Sequence, residues 1–242
     1  MKIFSVPIEG LSIPQIIQHL EEGTSRLTWI VTANPEILLE ARRDPAYASI
    51  LRQADFRLVD GFGLWLMLRL FGVRTTRVTG VDLAERLVAF AVRRDWKIAL
   101  VGGGPGVAHR ACEKFRQPFP HGSFLAEQGG HVTSNGTDDA VGEEARHRLT
   151  LFAPDVLLVA FGHPKQEQWI ARHRQDFPSL KVVMGVGGTF DYWAGTVLRA
   201  PKILRRLGLE WAWRLMQEPH RLRRILRAVF VFPFFVYTDP HG

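Results

Sequence analysis

Short apolar, β-rich runs alternate with stretches of helical spacing through most of this chain. Strands are predicted over residues 28–32, 56–59, 97–101, 123–126, 155–160 and 181–185. Several of these runs are apolar throughout rather than alternating, as expected of parallel strands covered on both faces. Helices are predicted between them, over 35–43, 62–70, 81–94, 106–116, 138–151 and 165–176. Such alternation with short turns predicts a doubly wound α/β domain, a mostly parallel sheet with flanking helices. Residues 129–136 (Gly-Gly-His-Val-Thr-Ser-Asn-Gly) are the strongest surface-loop candidate.

From Pro201 onward the strand signals stop. Leu204, Leu207, Trp211 and Leu215 recur at three- and four-residue steps and share one face of a predicted helix. Arg206, Glu210, Arg214 and Glu218 stand four apart as a charge ladder, which for Arg206 reads as a solvated face. Pro219 should end or kink that helix, and a second basic helix is predicted over about 221–230. The chain thus divides into a core, 1–200, and a basic amphipathic helical appendage, 201–242.

Charge sharpens this division. Between Arg199 and Arg227 there are nine Lys/Arg and two Asp/Glu, an excess equal to the whole chain's net +7. Basic residues interleaved with Leu and Trp, followed by the apolar tip 228–237, suit an anionic lipid surface better than nucleic acid. No apolar run reaches the ~20 residues that span a bilayer. Pro7, Glu9 and Gly10 fall where a signal-peptide core would have to form. The expectation is a cytoplasmic protein, peripheral on the inner face of the membrane. The single Cys112 excludes an intrachain disulfide and any multi-cysteine metal site.

In a sheet of this kind ligands bind beyond the carboxyl ends of the strands. Five loops predicted there carry unusual residues: Thr32-Ala-Asn-Pro-Glu36, Asp60-Gly-Phe-Gly63, Gly102-Gly-Gly-Pro-Gly106, Phe161-Gly-His-Pro-Lys-Gln-Glu-Gln168 and Gly185-Val-Gly-Gly-Thr-Phe-Asp191. Singly, each has a plain structural explanation. Thr32, Asn34 or Asp191 can cap a helix, Asp60 can order an Asp-Gly turn, and Arg77 can pair with Asp82. Five together on one edge point to a shared site. The glycine run at Gly102 is a partial dinucleotide fingerprint, which keeps a nucleotide (NAD(P))-dependent oxidoreductase as the alternative. No metal-ligand, Walker or nucleophile-elbow motif is present, and no Asp-x-Asp carboxylate clamp. No cofactor or metal is therefore expected, and arginines and helix N-termini would have to neutralise an anionic nucleotide.

At these loops and in the tail the chain resembles the WecG/TagA/CpsF family of bacterial glycosyltransferases. The stretches that carry the resemblance include Thr32-Ala-Asn-Pro-Glu36, Ala54-Asp-Phe-Arg-Leu-Val-Asp-Gly61, Arg77-Val-Thr-Gly-Val-Asp82, Gly162-His-Pro-Lys-Gln-Glu167 and Gly208-Leu-Glu-Trp-Ala-Trp-Arg-Leu215. With Glu218-Pro-His-Arg221, they cover about residues 32–224 in the family's order. The resemblance implies a Rossmann-like core with a membrane-docking C-terminal appendage. It also implies inverting transfer of a hexose-type sugar (N-acetylmannosamine, its uronic acid or glucose) in bacterial surface polysaccharide synthesis. The donor would be a UDP-sugar and the acceptor a polyprenyl-diphosphate-linked sugar.

By position, the resemblance makes Asp60 the general base beside Thr32. Asn34, Arg77 and Gln166 would be pocket residues, and Arg214, Arg221 and Arg224 would meet the diphosphate. Gly102, Gly103, Glu127, Gly187, Gly188 and Asp191 are the candidate nucleotide contacts. The expected partners are donor, acceptor and anionic membrane, with no nucleic acid; a homo-oligomer is left open. A rival of another kind is a basic RNA- or membrane-binding adaptor. Against RNA, the Trp and Leu of the tail follow helical core spacing rather than a stacking platform.

Overall fold

The computed structural model of the chain describes residues 1–23, 26–219 and 222–238, except the side chain of Arg206. All six predicted strands form: β3 (Thr28–Ala33), β4 (Phe56–Val59), β5 (Ile98–Gly102), β6 (Phe124–Glu127), β7 (Val156–Ala160) and β8 (Val182–Gly185). They make one sheet in the order β4-β3-β8-β7-β5-β6, every neighbouring pair parallel. Their continuous apolarity has the predicted cause, because successive side chains enter two different cores. In β7, Leu157 and Val159 face one layer while Val156, Leu158 and Ala160 face the other.

The first layer gathers α2 (Pro35–Arg43), α3 (Pro45–Arg52), α4 (Phe62–Leu70), α7 (Ala140–Phe152) and α8 (Lys165–His173). The second gathers α1 (Ile13–Glu21), α5 (Gly80–Val92), α6 (Val107–Arg116) and α9 (Thr189–Trp193). Three elements are absent from the sequence reading: α1, α3 and an N-terminal hairpin of β1 (Lys2–Ile3) and β2 (Val6–Pro7). The hairpin turns on Phe4 and Ser5, both in the left-handed region at φ 49° and 62°. That is the backbone of a tight primed turn, but without the Asn-Gly or Asp-Gly pair that advertises one. The predicted loop at 129–136 forms, with His131, Thr133, Ser134 and Asn135 exposed, and it is anchored from below: Val132 is buried, and a Cβ on Gly136 would meet the α8 backbone at Gln168 and Trp169.

The C-terminal segment differs from its predicted form in two ways. The single helix expected through 204–218 is two, α10 (Lys202–Arg206) and α11 (Glu210–Gln217), broken at Gly208. Gly208 lies at φ 74°; its N–H donates to Arg205 O (3.2 Å) and that of Leu209 to Leu204 O (2.8 Å). This is a Schellman closure, which a glycine in the left-handed position allows. The Phe62 ring also packs against its Cα so closely that no Cβ could be accommodated.

The second difference is at the tip. α12 (Leu222–Leu226) passes through a π-helical turn (Arg227–Val231) into α13 (Phe232–Thr238), so Pro233 does not end the helix. A widened turn just before a proline relieves the clash its ring would make in an unbroken α-helix. One face of α13 is core: Phe232 and Val236 are fully buried, and the Phe232 ring stands edge-on to Phe4 at 6.2 Å. Arg42 lies over Phe235 at 3.8 Å. The two ends of the chain therefore seat on each other. Among the described residues, no helix is long and apolar enough to cross a membrane.

Candidate active site

A cleft of about 900 Å³ opens at the carboxyl ends of β3, β4, β5, β7 and β8. All five loops singled out in the sequence contribute to its wall, and α4, α11, α12 and the π-helical turn close the other side. Thr32, Asn34, Asp60, Arg77, Gly103, Gln166, Gly187, Gly188, Asp191, Arg214 and Arg224 all line it.

Asp60 follows β4 and is enclosed. Its Oδ1 accepts from the Gly61 N–H (2.6 Å) and its Oδ2 from the Gly80 N–H (3.3 Å), the first residue of α5. Gly80 is where Thr32 and Asp60 converge, since a Cβ there would stand 3.1 Å from Thr32 Oγ1 and 3.7 Å from Asp60 Oδ2. Burial pushes the Asp60 pKa up to about 6. The two backbone N–H groups oppose the rise, the Glu210 carboxylate adds to it, and Arg77 pulls it down. A carboxylate held near neutrality inside a cleft is what proton abstraction at physiological pH requires.

Positive charge reaches the cleft from the core through Arg77 and Lys165 and from the C-terminal helices through Arg214 and Arg224. Arg214 lies over the Tyr192 ring at 5.0 Å, and its Nε donates to Glu218 (2.7 Å). Its buried Nη2 has no hydrogen-bond partner among the described residues. A guanidinium nitrogen left so at a cleft wall is a ready donor to an anion. Arg224 is held at the mouth by Glu36, with Nε 3.1 Å from Oε1, and His163 Nε2 stands 3.6 Å from the same carboxylate. Arg77 donates to Arg205 O (2.7 Å). The alternative of a structural pair between Arg77 and Asp82 is not what forms: Asp82 pairs with Arg199 at 2.7 Å and lies 3.8 Å from Arg205. These contacts tie α10 and its approach to the N-terminus of α5, beside Asp60.

Other candidates settle differently. Asn34 caps α2, its Oδ1 accepting from Glu36 N and Ile37 N (3.0 Å each), so only its Nδ2 end can serve a ligand. Gln166 is buried and anchored by its Oε1, which accepts from Gly187 N (3.0 Å). Glu127 is outside the cleft wall, at the end of the edge strand β6, and Arg148 grips both of its oxygens (2.8 and 2.9 Å). Gly102 is also outside the wall. It sits at φ 104° against the Ala160 backbone, where a Cβ would come within 2.9 Å, so its glycine serves strand packing. Arg221 lies outside the described residues. Among the described residues no group of three or more His, Cys, Asp or Glu could hold a metal.

Two residues of the C-terminal segment to which the sequence assigns no role stand at or beside the cleft. Glu210 lines the cleft beside Arg214 rather than forming part of a solvated ladder. Arg199 joins Asp82 to Glu210, the latter at 3.6 Å. The ladder itself was the available signal, since its i,i+4 spacing places Glu210 and Arg214 on one face. Only the break at Gly208 turns that face inward.

The chain is similar to known proteins along nearly its whole length. A family model described as the glycosyl transferase WecG/TagA/CpsF family matches residues 1–240. A Bacillus spizizenii protein named N-acetylglucosaminyldiphosphoundecaprenol N-acetyl-beta-D-mannosaminyltransferase is 34% identical over 88% of this chain and 82% of its own length. A Staphylococcus aureus protein of the same name is 33% identical over 97% of this chain and 90% of its own length. With a whole-chain family match and relatives aligned almost end to end, the chain belongs to the WecG/TagA/CpsF family and is a glycosyltransferase.

Proposed function

We propose that the protein transfers an N-acetylmannosaminyl group from a UDP-sugar to the sugar of a polyprenyl-diphosphate-linked acceptor, with inversion, at the membrane surface. The observation that carries this reading is Asp60, buried at the base of a cleft whose far wall supplies Arg214 and Arg224. The relatives' names supply the transferred sugar and the acceptor. In the displacement, the acceptor hydroxyl oxygen forms a bond to the anomeric carbon as the bond to the UDP oxygen breaks. The hydroxyl proton passes to an Asp60 oxygen, and the electron pair leaves with UDP. The charge developing on the leaving diphosphate is met by guanidinium groups, a task that needs no metal. Thr32 stands beside the base, and Asn34, Arg77 and Gln166 line the pocket. Gly103, Gly187, Gly188 and Asp191 bring close backbone and one carboxylate to the nucleotide side.

Residues 201–242 are, in this reading, a docking appendage. Phe230, Phe234 and Tyr237 are exposed at 67%, 62% and 79% on the helix whose other face enters the core. Arg223 and Arg227 are exposed close by. Apolar side chains flanked by arginines suit the headgroup region of an anionic leaflet, where each basic residue adds about 1 kcal/mol. Docking there would present the acceptor's diphosphate to Arg224 at the cleft mouth. The test is a panel of UDP-sugars incubated with polyprenyl-diphosphate-linked N-acetylglucosamine, read by product mass. UDP-N-acetylmannosamine should give the added mass of one N-acetylhexosamine and release UDP. Transfer only from UDP-glucose or a UDP-uronic acid would reassign the sugar, and reduction or oxidation of NAD(P) without transfer would overturn the reading.

A further inference from the structure

Behind Gln166, away from the cleft, lies a polar chain in an otherwise apolar layer. Glu167 is 1% exposed and Tyr47 is fully buried, although they come from helices 120 residues apart. The Tyr47 hydroxyl donates to Glu167 Oε2 (3.0 Å), and Gln166 Nε2 donates to Glu167 Oε1 (2.7 Å). Neither Tyr47 nor Glu167 lines the cleft; Gln166 does. Desolvating a carboxylate so fully is unfavourable unless its hydrogen bonds serve a purpose, and an apolar pair of similar volume would fill the space without that penalty.

The consequence falls on Gln166. A carboxamide has two nearly isosteric ends, and packing alone does not choose between them. Here the choice is forced from both sides: Gly187 N–H requires the oxygen, and the Glu167 carboxylate requires the NH2 group. The side chain also lies across Gly185, where a Cβ would come within 2.7 Å of Nε2, so this glycine opens the space the amide occupies. One Nε2 hydrogen goes to Glu167, which leaves the second for a ligand. We propose that Glu167, steadied by Tyr47, is a positioning residue that fixes the Gln166 carboxamide with its donor end available to the bound substrate. Burial and the neighbouring Glu167 raise the Tyr47 pKa well above its ordinary value, so the phenol remains a donor at any working pH.

This rests on the reading that Gln166 contacts a substrate, and the experiment separates the two ideas. Four variants are compared by kcat/KM, split into kcat and KM, with melting temperatures recorded: Gln166→Ala, Tyr47→Phe, Glu167→Leu and Glu167→Gln. Gln166→Ala should lower kcat/KM by about 10- to 100-fold. If it keeps the wild-type value, the substrate-contact reading fails, and the inference with it. Given that loss, Tyr47→Phe should lower kcat/KM roughly three- to tenfold in the wild-type background but less than about twofold on top of Gln166→Ala. Glu167→Leu should resemble Gln166→Ala. Glu167→Gln, which can still accept from Gln166 and donate to Tyr47, should recover to within about threefold of wild type. Should Glu167→Leu not fold, the Tyr47→Phe cycle and the Glu167→Gln rescue still decide. Additive effects in that cycle, or lowered melting temperatures with unchanged kinetics, would make the chain a stability feature alone and overturn the proposal.

Discussion

The sharpest expectation concerns the acid limb of the pH–rate profile. Burial raises the Asp60 pKa from 3.8 to about 6, and a base works only when deprotonated. Activity is therefore lost as pH falls through about 6 and is nearly complete by pH 7. With that value, about a tenth of the enzyme carries an ionised Asp60 at pH 5 and about nine-tenths at pH 7, so kcat/KM should rise about tenfold between them. An aspartate at its ordinary pKa would already be more than about nine-tenths ionised at pH 5, and the profile would be nearly flat.

Two neighbours should move the limb in opposite directions. Glu210 raises the Asp60 value and Arg77 lowers it, so Glu210→Gln should shift the limb to lower pH and Arg77→Gln to higher pH. Both side chains line the cleft, so absolute rates will also change; the position of the limb is the readout. Glu167, which burial pushes up to about 7, is the other group in this range, and Glu167→Gln removes its contribution while leaving that of Asp60. The assay is initial-rate kinetics at low donor concentration in constant-ionic-strength buffers. A flat profile between pH 5 and 7, or a limb retained in the residual activity of Asp60→Asn, would refute the assignment. Asp60→Asn itself should lower turnover by at least ~10²-fold with UDP binding preserved.

Phe232→Ala should cost about 3–5 kcal/mol in chemical denaturation, because the fully buried ring packs on Phe4 and leaves a cavity behind. For the same reason, truncation after Ala200 should lower the melting temperature rather than leave an undisturbed core. By contrast, Phe230→Ser with Phe234→Ser should leave melting unchanged within about 1 kcal/mol but weaken sedimentation with anionic liposomes; unaltered liposome binding would remove these side chains from the docking surface. Gly208→Ala should reduce transfer and stability together, since its φ of 74° and the Phe62 ring leave no place for a methyl group. Transfer should persist in EDTA, and loss restored by Mg²⁺ or Mn²⁺ would show that the arginines do not act alone.

How much of this the sequence disclosed follows from the range of each interaction. The sheet was readable because burial on both faces imposes apolarity on every position of a strand, a local signal. The five-loop edge was readable because each loop carries glycine or small polar residues beside a strand end. The hairpin at Phe4 was hidden because its left-handed residues are not glycine or asparagine, and the fold supplies what the local sequence does not. The break at Gly208 was hidden for a related reason: a lone glycine within helical spacing is tolerated, and only the distant Phe62 makes it obligatory. Glu127 and Gly102 lie outside the cleft wall, and position at a strand end does not reveal that a residue is already engaged, by Arg148 in one case and by the Ala160 backbone in the other.

The tail shows how far composition alone reaches. Charge and apolarity mark residues 199–237 as unlike the rest of the chain, but leave open whether the apolar tip enters the membrane or packs on the core. The structure divides the same residues between two environments. Phe232 and Val236 lock the last helix onto the N-terminal hairpin and α2, while Phe230, Phe234 and Tyr237 face outward. Because that helix is anchored, Arg224 on its first turns is held at the cleft mouth by Glu36 instead of moving with a loose tail. An arginine fixed in place meets an incoming diphosphate with less ordering to lose than one on a mobile segment. In the proposed reading, phosphate oxygens would compete with the Glu36 carboxylate for Arg224. Burial of Phe232 and Val236 thus fixes the helix that carries both Arg224 and the exposed Phe230, Phe234 and Tyr237.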